Sequence, residues 1–226
     1  MLDCGCGPGT ITAGLATAVA PGRVVGIDLG ESQIALATTR AAEQGLRNTE
    51  FKVGNIYELS FDAGTFDAVF AHAVFEHLSD PIRALREVRR VLKPGGVVGV
   101  CSPDWGGFLI FPTPPMLEEA ITFYKRLQAQ NGGNPNVGRE LGALLREAGF
   151  ARIKVTASYE CYENRQAIAE YLALRLEAAP AVDGAAKLGE VDNTQIAERV
   201  TALRTWSKHP DSLFAQAWVA AVGWND

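Results

Sequence analysis

Leu2-Asp3-Cys4-Gly5-Cys6-Gly7-Pro8-Gly9-Thr10, followed by Val24-Val25-Gly26-Ile27-Asp28, decides the fold. A strand end runs into a tight glycine turn, an alanine-rich helix occupies residues 11–20, and a second strand over Arg23–Asp28 ends on a carboxylate. Gly5, Gly7 and Gly9 let the main chain take positive φ and approach a ligand with no Cβ in the way. Asp28 stands where an acid can accept both hydroxyls of a ribose. The stretch therefore predicts an adenosine-bearing cofactor at the carboxyl edge of a doubly wound sheet.

The details select the cofactor. A dinucleotide site wants G-x-G-x-x-G, with a helix N-terminus facing a pyrophosphate. Here the third glycine arrives one residue early, Pro8 stiffens the loop, and Thr10 stands where that glycine belongs. Asp3 would repel a pyrophosphate but attract an ammonium or sulfonium. A nicotinamide-dependent oxidoreductase is the reading that these features disfavour.

Outward from this stretch, strands and helices alternate. Glu31–Gln44 has helical apolar spacing and ends at Gly45, Thr49–Val53 is a third strand, and Phe66–Ala71 a fourth. Asp80-Pro81 reads as N-cap and first residue of a helix through Leu92, because proline there forfeits no helical bond. Lys93-Pro94-Gly95-Gly96 predicts a turn before a fifth strand, Val97–Cys101. Such alternation implies a parallel sheet with right-handed crossovers. From Ser102 to Pro135 the prolines predict irregular chain with one helix carrying Phe123 and Tyr124. Val137–Ala148 reads as a helix, Arg152–Cys161 as a strand, Arg165–Ala178 and Thr194–Trp206 as helices, and Leu213–Gly223 as a closing antiparallel strand. The expectation is a seven-stranded, mostly parallel α/β sheet in a single domain over 1–226. Residues 103–136 read as a substrate cap and 162–211 as a helical insertion between the last two strands.

Composition narrows the function. Of 226 residues, 47% are hydrophobic and 21% charged, which suits a globular α/β domain. A net charge of −5 without a basic run argues against a nucleic-acid partner. No apolar run approaches the ~20 residues of a membrane span. The cysteines at 4, 6, 101 and 161 have neither zinc nor disulfide spacing, so a reducing, cytoplasmic compartment is expected. No metal site is expected.

The Asp-x-Gly-x-Gly-x-Gly loop resembles motif I of the class I S-adenosylmethionine-dependent methyltransferases. Together with Gly26-Ile27-Asp28-Leu29-Gly30, Gly54-Asn55-Ile56-Tyr57-Glu58-Leu59, Phe66-Asp67-Ala68-Val69, Glu76-His77-Leu78 and Leu92-Lys93-Pro94-Gly95-Gly96, it resembles the type 11 branch, which includes quinone-biosynthesis and small-molecule enzymes. The resemblance implies S-adenosyl-L-methionine as donor and S-adenosyl-L-homocysteine as product. It assigns the main chain of Gly5, Cys6, Gly7 and Gly9 to the donor, with Asp3 near its amino group. Asp28 would hold the ribose, Leu29 would pack on adenine, and Gln33, Gly54 and Ile56 would complete that side. Asn55 stands where the family usually has aspartate; its amide oxygen can still accept from the adenine amino group. Ala71 and His72 would border the methionine end. The family usually places one or two helices before the first strand, and Met1 begins almost at the motif. A truncated start, a lid supplied by a partner chain, or an unusually open site is therefore expected.

His77 is the candidate general base, since imidazole takes a proton near neutral pH. Flanked by Val74, Phe75 and Leu78, it reads as well as a hydrogen-bonded structural histidine. The loop after the fourth strand lacks the Asn-Pro-Pro-Tyr type of element used for nucleic-acid amines, and it carries no Pro-Cys nucleophile. The expected activity is methyl transfer to an O, N or C nucleophile of a small organic molecule, and a homodimer is compatible with it. A catalytically incomplete or partner-dependent S-adenosylmethionine-binding protein is the alternative.

Overall fold

The computed structural model describes residues 1–178 and 193–226. Its strands are β1 (Leu2–Cys4), β2 (Val24–Asp28), β3 (Thr49–Val53), β4 (Phe66–His72), β5 (Leu92–Phe111), β6 (Ala151–Cys161) and β7 (Leu213–Trp224). They form a seven-stranded sheet in the order β3-β2-β1-β4-β5-β7-β6. β1, β2, β3, β4 and β5 pair in parallel, and the last strands are antiparallel. The helices are α1 (Thr10–Ala18), α2 (Glu31–Glu43), α3 (Pro81–Val91), α4 (Pro115–Gln130), α5 (Leu141–Glu147), α6 (Arg165–Ala178) and α7 (Asn193–Trp206). Short 3-10 turns cover Phe75–His77 and Val137–Glu140.

The residues fall into two compact units. The first comprises Met1–Ser102, Val137–Thr156 and Val219–Asp226; the second comprises Pro103–Asn136 and Ala157–Trp218. The first unit's core is built from strand residues Leu2, Cys4, Ile27, Val69 and Val100 with Leu85, Val88 and Leu145 of the helices. Leu85 and Val88 form the inward stripe of α3, and Leu92, which opens β5 directly after it, is buried as well. Asp80 caps that helix, accepting from the Arg83 N–H at 3.0 Å, with proline following it.

The second unit has its own core. Trp105, Leu117, Phe123, Tyr124, Leu172, Leu176, Leu203, Trp206 and Phe214 are all buried in it. Trp105 stacks obliquely on Tyr124 at 4.8 Å and on Phe214 at 6.1 Å between ring centres. Trp105, Phe123 and Tyr124 are thus core, whereas Phe111 is 59% exposed.

Two local expectations are corrected. The Lys93–Gly96 turn lies inside a strand, as a bulge: Phe66 pairs with Leu92, and the next pair is Ala68 with Val97. Gly95 takes φ +76, and the chain is held by reciprocal bonds to Asn225: the Gly95 N–H donates to its carbonyl at 2.6 Å, and its N–H donates to Gly96 O at 2.9 Å. Beyond Ser102 the chain remains strand as far as Phe111, not irregular. Local proline and glycine signals were outweighed by tertiary pairing. In the second unit the Asp104 carbonyl accepts from the Gln216 side-chain amide at 3.0 Å, and Gly107 passes so close to Ala217 that a Cβ there would be crowded. The predicted Val137–Ala148 helix is a 3-10 turn followed by the shorter α5.

Candidate active site

The site is assembled at the carboxyl ends of the first unit's parallel strands. The loop after β1 bends through Gly5, Gly7 and Gly9 at φ +70, +50 and +78, conformations that a side chain resists. Gly5 has a second reason to be glycine, because a Cβ there would collide with Cγ2 of Val74. Gly9 precedes α1, whose first turn has no side-chain cap. Such a helix start leaves N–H donors available to an anionic group.

Asp28 ties the second strand to this loop. Its Oδ2 accepts from the Gly7 N–H at 3.0 Å, and its Oδ1 accepts from the Gly30 N–H at 2.9 Å. Its own carbonyl accepts from the Gly54 N–H at 2.9 Å, which brings the end of β3 to the same place. Leu29, next in sequence, is 71% exposed. A leucine standing in water beside a cradle of main-chain donors is the partner a flat apolar ring would find. Gln33 packs over Gly30 from the first turn of α2.

Asp3 is placed beneath the loop rather than on its surface. It is 1% exposed and accepts from the Thr12 hydroxyl at 2.6 Å, which couples β1 to α1. Burial pushes its carboxyl up to about 6, against the opposing hydrogen bond from Thr12. Cys6 uses its N–H on Ile27 O at 2.9 Å, and its carbonyl accepts from Gly9 at 3.0 Å. Burial pushes its thiol up to about 12, with the charges of Asp3 and Asp28 adding to the effect, so it is no nucleophile. Cys4 is shifted upward by burial as well.

The remaining positions divide. Asn55 is exposed, and its Oδ1 accepts from the Tyr57 N–H at 2.9 Å. Ile56 belongs to the core. Ala71 is buried at the end of β4; His72 follows it, its ring stacked at 6.4 Å on Phe70. Ala73 then adopts φ +54, unusual for a residue with a side chain, and its N–H donates to Cys101 O at 2.9 Å. This bend turns the chain into Phe75–His77. The His77 side chain is 56% exposed, with Nε2 at 3.9 Å from Oε1 of Glu76.

Sequence reasoning missed Glu76, Ser102 and Thr12. Glu76 is only 4% exposed and accepts from the Ser102 hydroxyl at 3.0 Å. Burial raises its carboxyl to about 7, opposed by that bond and by its own N–H. The one available signal was an acid set directly after Val74 and Phe75 at the end of an apolar strand. Among the described residues no cluster of three or more His, Cys, Asp or Glu could hold a metal ion, and no helix is long and apolar enough to cross a membrane.

A family model described as "Methyltransferase domain" matches residues 2–100. An uncharacterized methyltransferase, C1B3.06c, of Schizosaccharomyces pombe is 34% identical over 174 residues, covering 74% of this chain and 62% of that protein. The demethylmenaquinone methyltransferase of Bacillus subtilis is 32% identical, over 68% of this chain and 71% of its own length. Among solved structures, the YcgJ protein of Bacillus subtilis shares the fold with a TM-score of 0.62 at 21% identity, covering 98% of this chain and 90% of that one. The chain spans less than two thirds of some curated relatives, including the fission-yeast protein and one from Streptomyces fradiae, of which it covers 52%.

Proposed function

Because the chain belongs to the type 11 branch of the class I S-adenosylmethionine-dependent methyltransferases, we propose that it moves a methyl group from S-adenosylmethionine to an O, N or C nucleophile of a small organic molecule. The observation that carries this reading is the Asp28–Gly7–Gly30 clasp beside exposed Leu29. A carboxylate held by two main-chain donors keeps lone pairs for a ribose diol. The side-chain-free bend at Gly5–Gly9 leaves room for the methionine portion, and Leu29 offers the apolar surface for adenine. The residues therefore fit an adenosyl sulfonium.

S-adenosylmethionine supplies an electrophilic methyl group already activated by positive sulfur. The chain's own residues must then hold the donor, align the acceptor and exclude water. Glycine main chain and Asp28 do the holding. His77, half in solvent after β4, is the group placed to take the acceptor's proton. The small-molecule class is supported by relatives named for demethylmenaquinone and for nocamycin. Four free thiols support a reducing, cytoplasmic location, and a homodimer is compatible with this reading.

Calorimetry tests the donor. S-adenosylhomocysteine should bind the wild type, and Asp28→Ala should abolish most of that binding, while NAD should give no heat. Equal binding by wild type and Asp28→Ala would overturn the reading.

A further inference from the structure

We propose that Glu76 is a positioning residue for His77: its buried carboxylate, anchored by Ser102, orients the imidazole and balances the charge that His77 acquires on taking a proton from the methyl acceptor. The proposal rests on the methyl-transfer reading for the identity of that acceptor, but its geometry stands alone.

Three observations carry it. First, Glu76 is a carboxyl nearly out of solvent at the rim of a ligand site, where burying a charge is costly unless it has a partner. Its Oε2 has one, the Ser102 hydroxyl at 3.0 Å, and Ser102 is itself fully buried. This bond joins the turn after β4 to the middle of β5 and so restrains Glu76. Second, Oε1 is 3.9 Å from Nε2 of His77, within ion-pair range, while the imidazole is 56% exposed. The buried member of the pair is fixed and the exposed member meets the ligand. Third, the turn begins at Val74, whose methyl closes over Gly5, so loop and turn form one continuous wall.

The proton can be followed through the step. As the carbon–sulfur bond breaks and the bond from carbon to the acceptor atom forms, the acceptor loses its proton to His77. The sulfur keeps the electron pair and leaves neutral. The imidazolium so formed faces the Glu76 carboxylate. Burial leaves that carboxyl about 7, close enough to an ordinary imidazole for the two to titrate as a coupled pair near neutrality. The other charged or titratable side chains on β4, β5 and Val137–Glu140 are Asp67 and His72, then Lys93, Cys101 and Asp104, then Arg139 and Glu140.

The test needs no acceptor. The His77 ring resonance, assigned with His77→Gln, is followed by NMR against pH in the full chain and in Glu76→Gln, which can keep the Ser102 bond but carries no charge. His77 should titrate in two steps in the wild type. In Glu76→Gln it should titrate in a single step, with its midpoint lowered by roughly one pH unit. Ser102→Ala supplies the same readout if Glu76→Gln fails to fold: the carboxyl loses a donor, stays protonated to higher pH, and the His77 midpoint falls by a smaller amount. An unchanged His77 midpoint in whichever variant folds overturns the proposal. Binding of S-adenosylhomocysteine, measured on the same samples, separates this failure from failure of the methyl-donor reading.

Discussion

The carboxylate of Asp28 is hydrogen-bonded to the N–H of Gly7 at 3.0 Å, across twenty-one positions of sequence. An acid on the second strand thus fixes the bend after the first. Loop shape and the proposed ribose recognition depend on the same side chain.

Asp28→Asn should therefore weaken S-adenosylhomocysteine binding by roughly 10- to 100-fold, since hydrogen bonds to a charged group contribute about 1.5–3 kcal/mol. Asp28→Ala should weaken it further and also lower the melting temperature, because Gly7 and Gly30 lose their shared acceptor. Calorimetry and thermal unfolding of both variants check this.

Leu29 gives the converse case. At 71% exposure it contributes little to folding, so Leu29→Ser should leave the melting temperature within a degree or two. Donor affinity should fall several-fold, for loss of about 1 kcal/mol of apolar contact. A large loss of stability would contradict this placement.

Gly5→Ala should destabilise the first unit by about 1–3 kcal/mol, from positive φ and from collision with Val74. Combining it with Val74→Ala should relieve the collision but leave the φ strain. In urea unfolding, the double variant should be less destabilised than the sum of the two singles.

Asp3 makes stability depend on pH in an unusual direction. Its folded carboxyl is raised from the ordinary 3.8 to about 6, so the native state holds a proton that the unfolded chain releases. The associated stability is complete below about pH 4 and is lost as pH rises through 6, on the order of 3 kcal/mol. Asp3→Asn should flatten the melting temperature between pH 4 and 7. Glu76→Gln should do the same over a window reaching slightly higher, up to about 7. A wild-type stability that climbs over this range by an amount neither variant alters would refute the assignment.

Much of the first unit was legible because its signals are local. Three glycines that require positive φ, an acid ending a strand, and an Asp-Pro helix start each act within a few residues. The second half of β5 was not legible, because Trp105-Gly106-Gly107 and the flanking prolines favour loop on their own. It is strand because a distant one, β7, supplies Gln216 to hold Asp104 and a small residue opposite Gly107. Glu76 was hidden for a related reason. Nothing beside it in sequence announces that Ser102, twenty-six residues on, would share its burial.

The two compact units are interleaved along the chain, with crossings after Ser102, Asn136, Thr156 and Trp218. Neither can be cloned as one uninterrupted length of message. A ribosome that has finished the glycine loop and its acid must still deliver Val219–Asp226 before the first unit is whole. Loss of Val219–Asp226 would therefore damage a unit whose glycine loop is encoded far upstream of it.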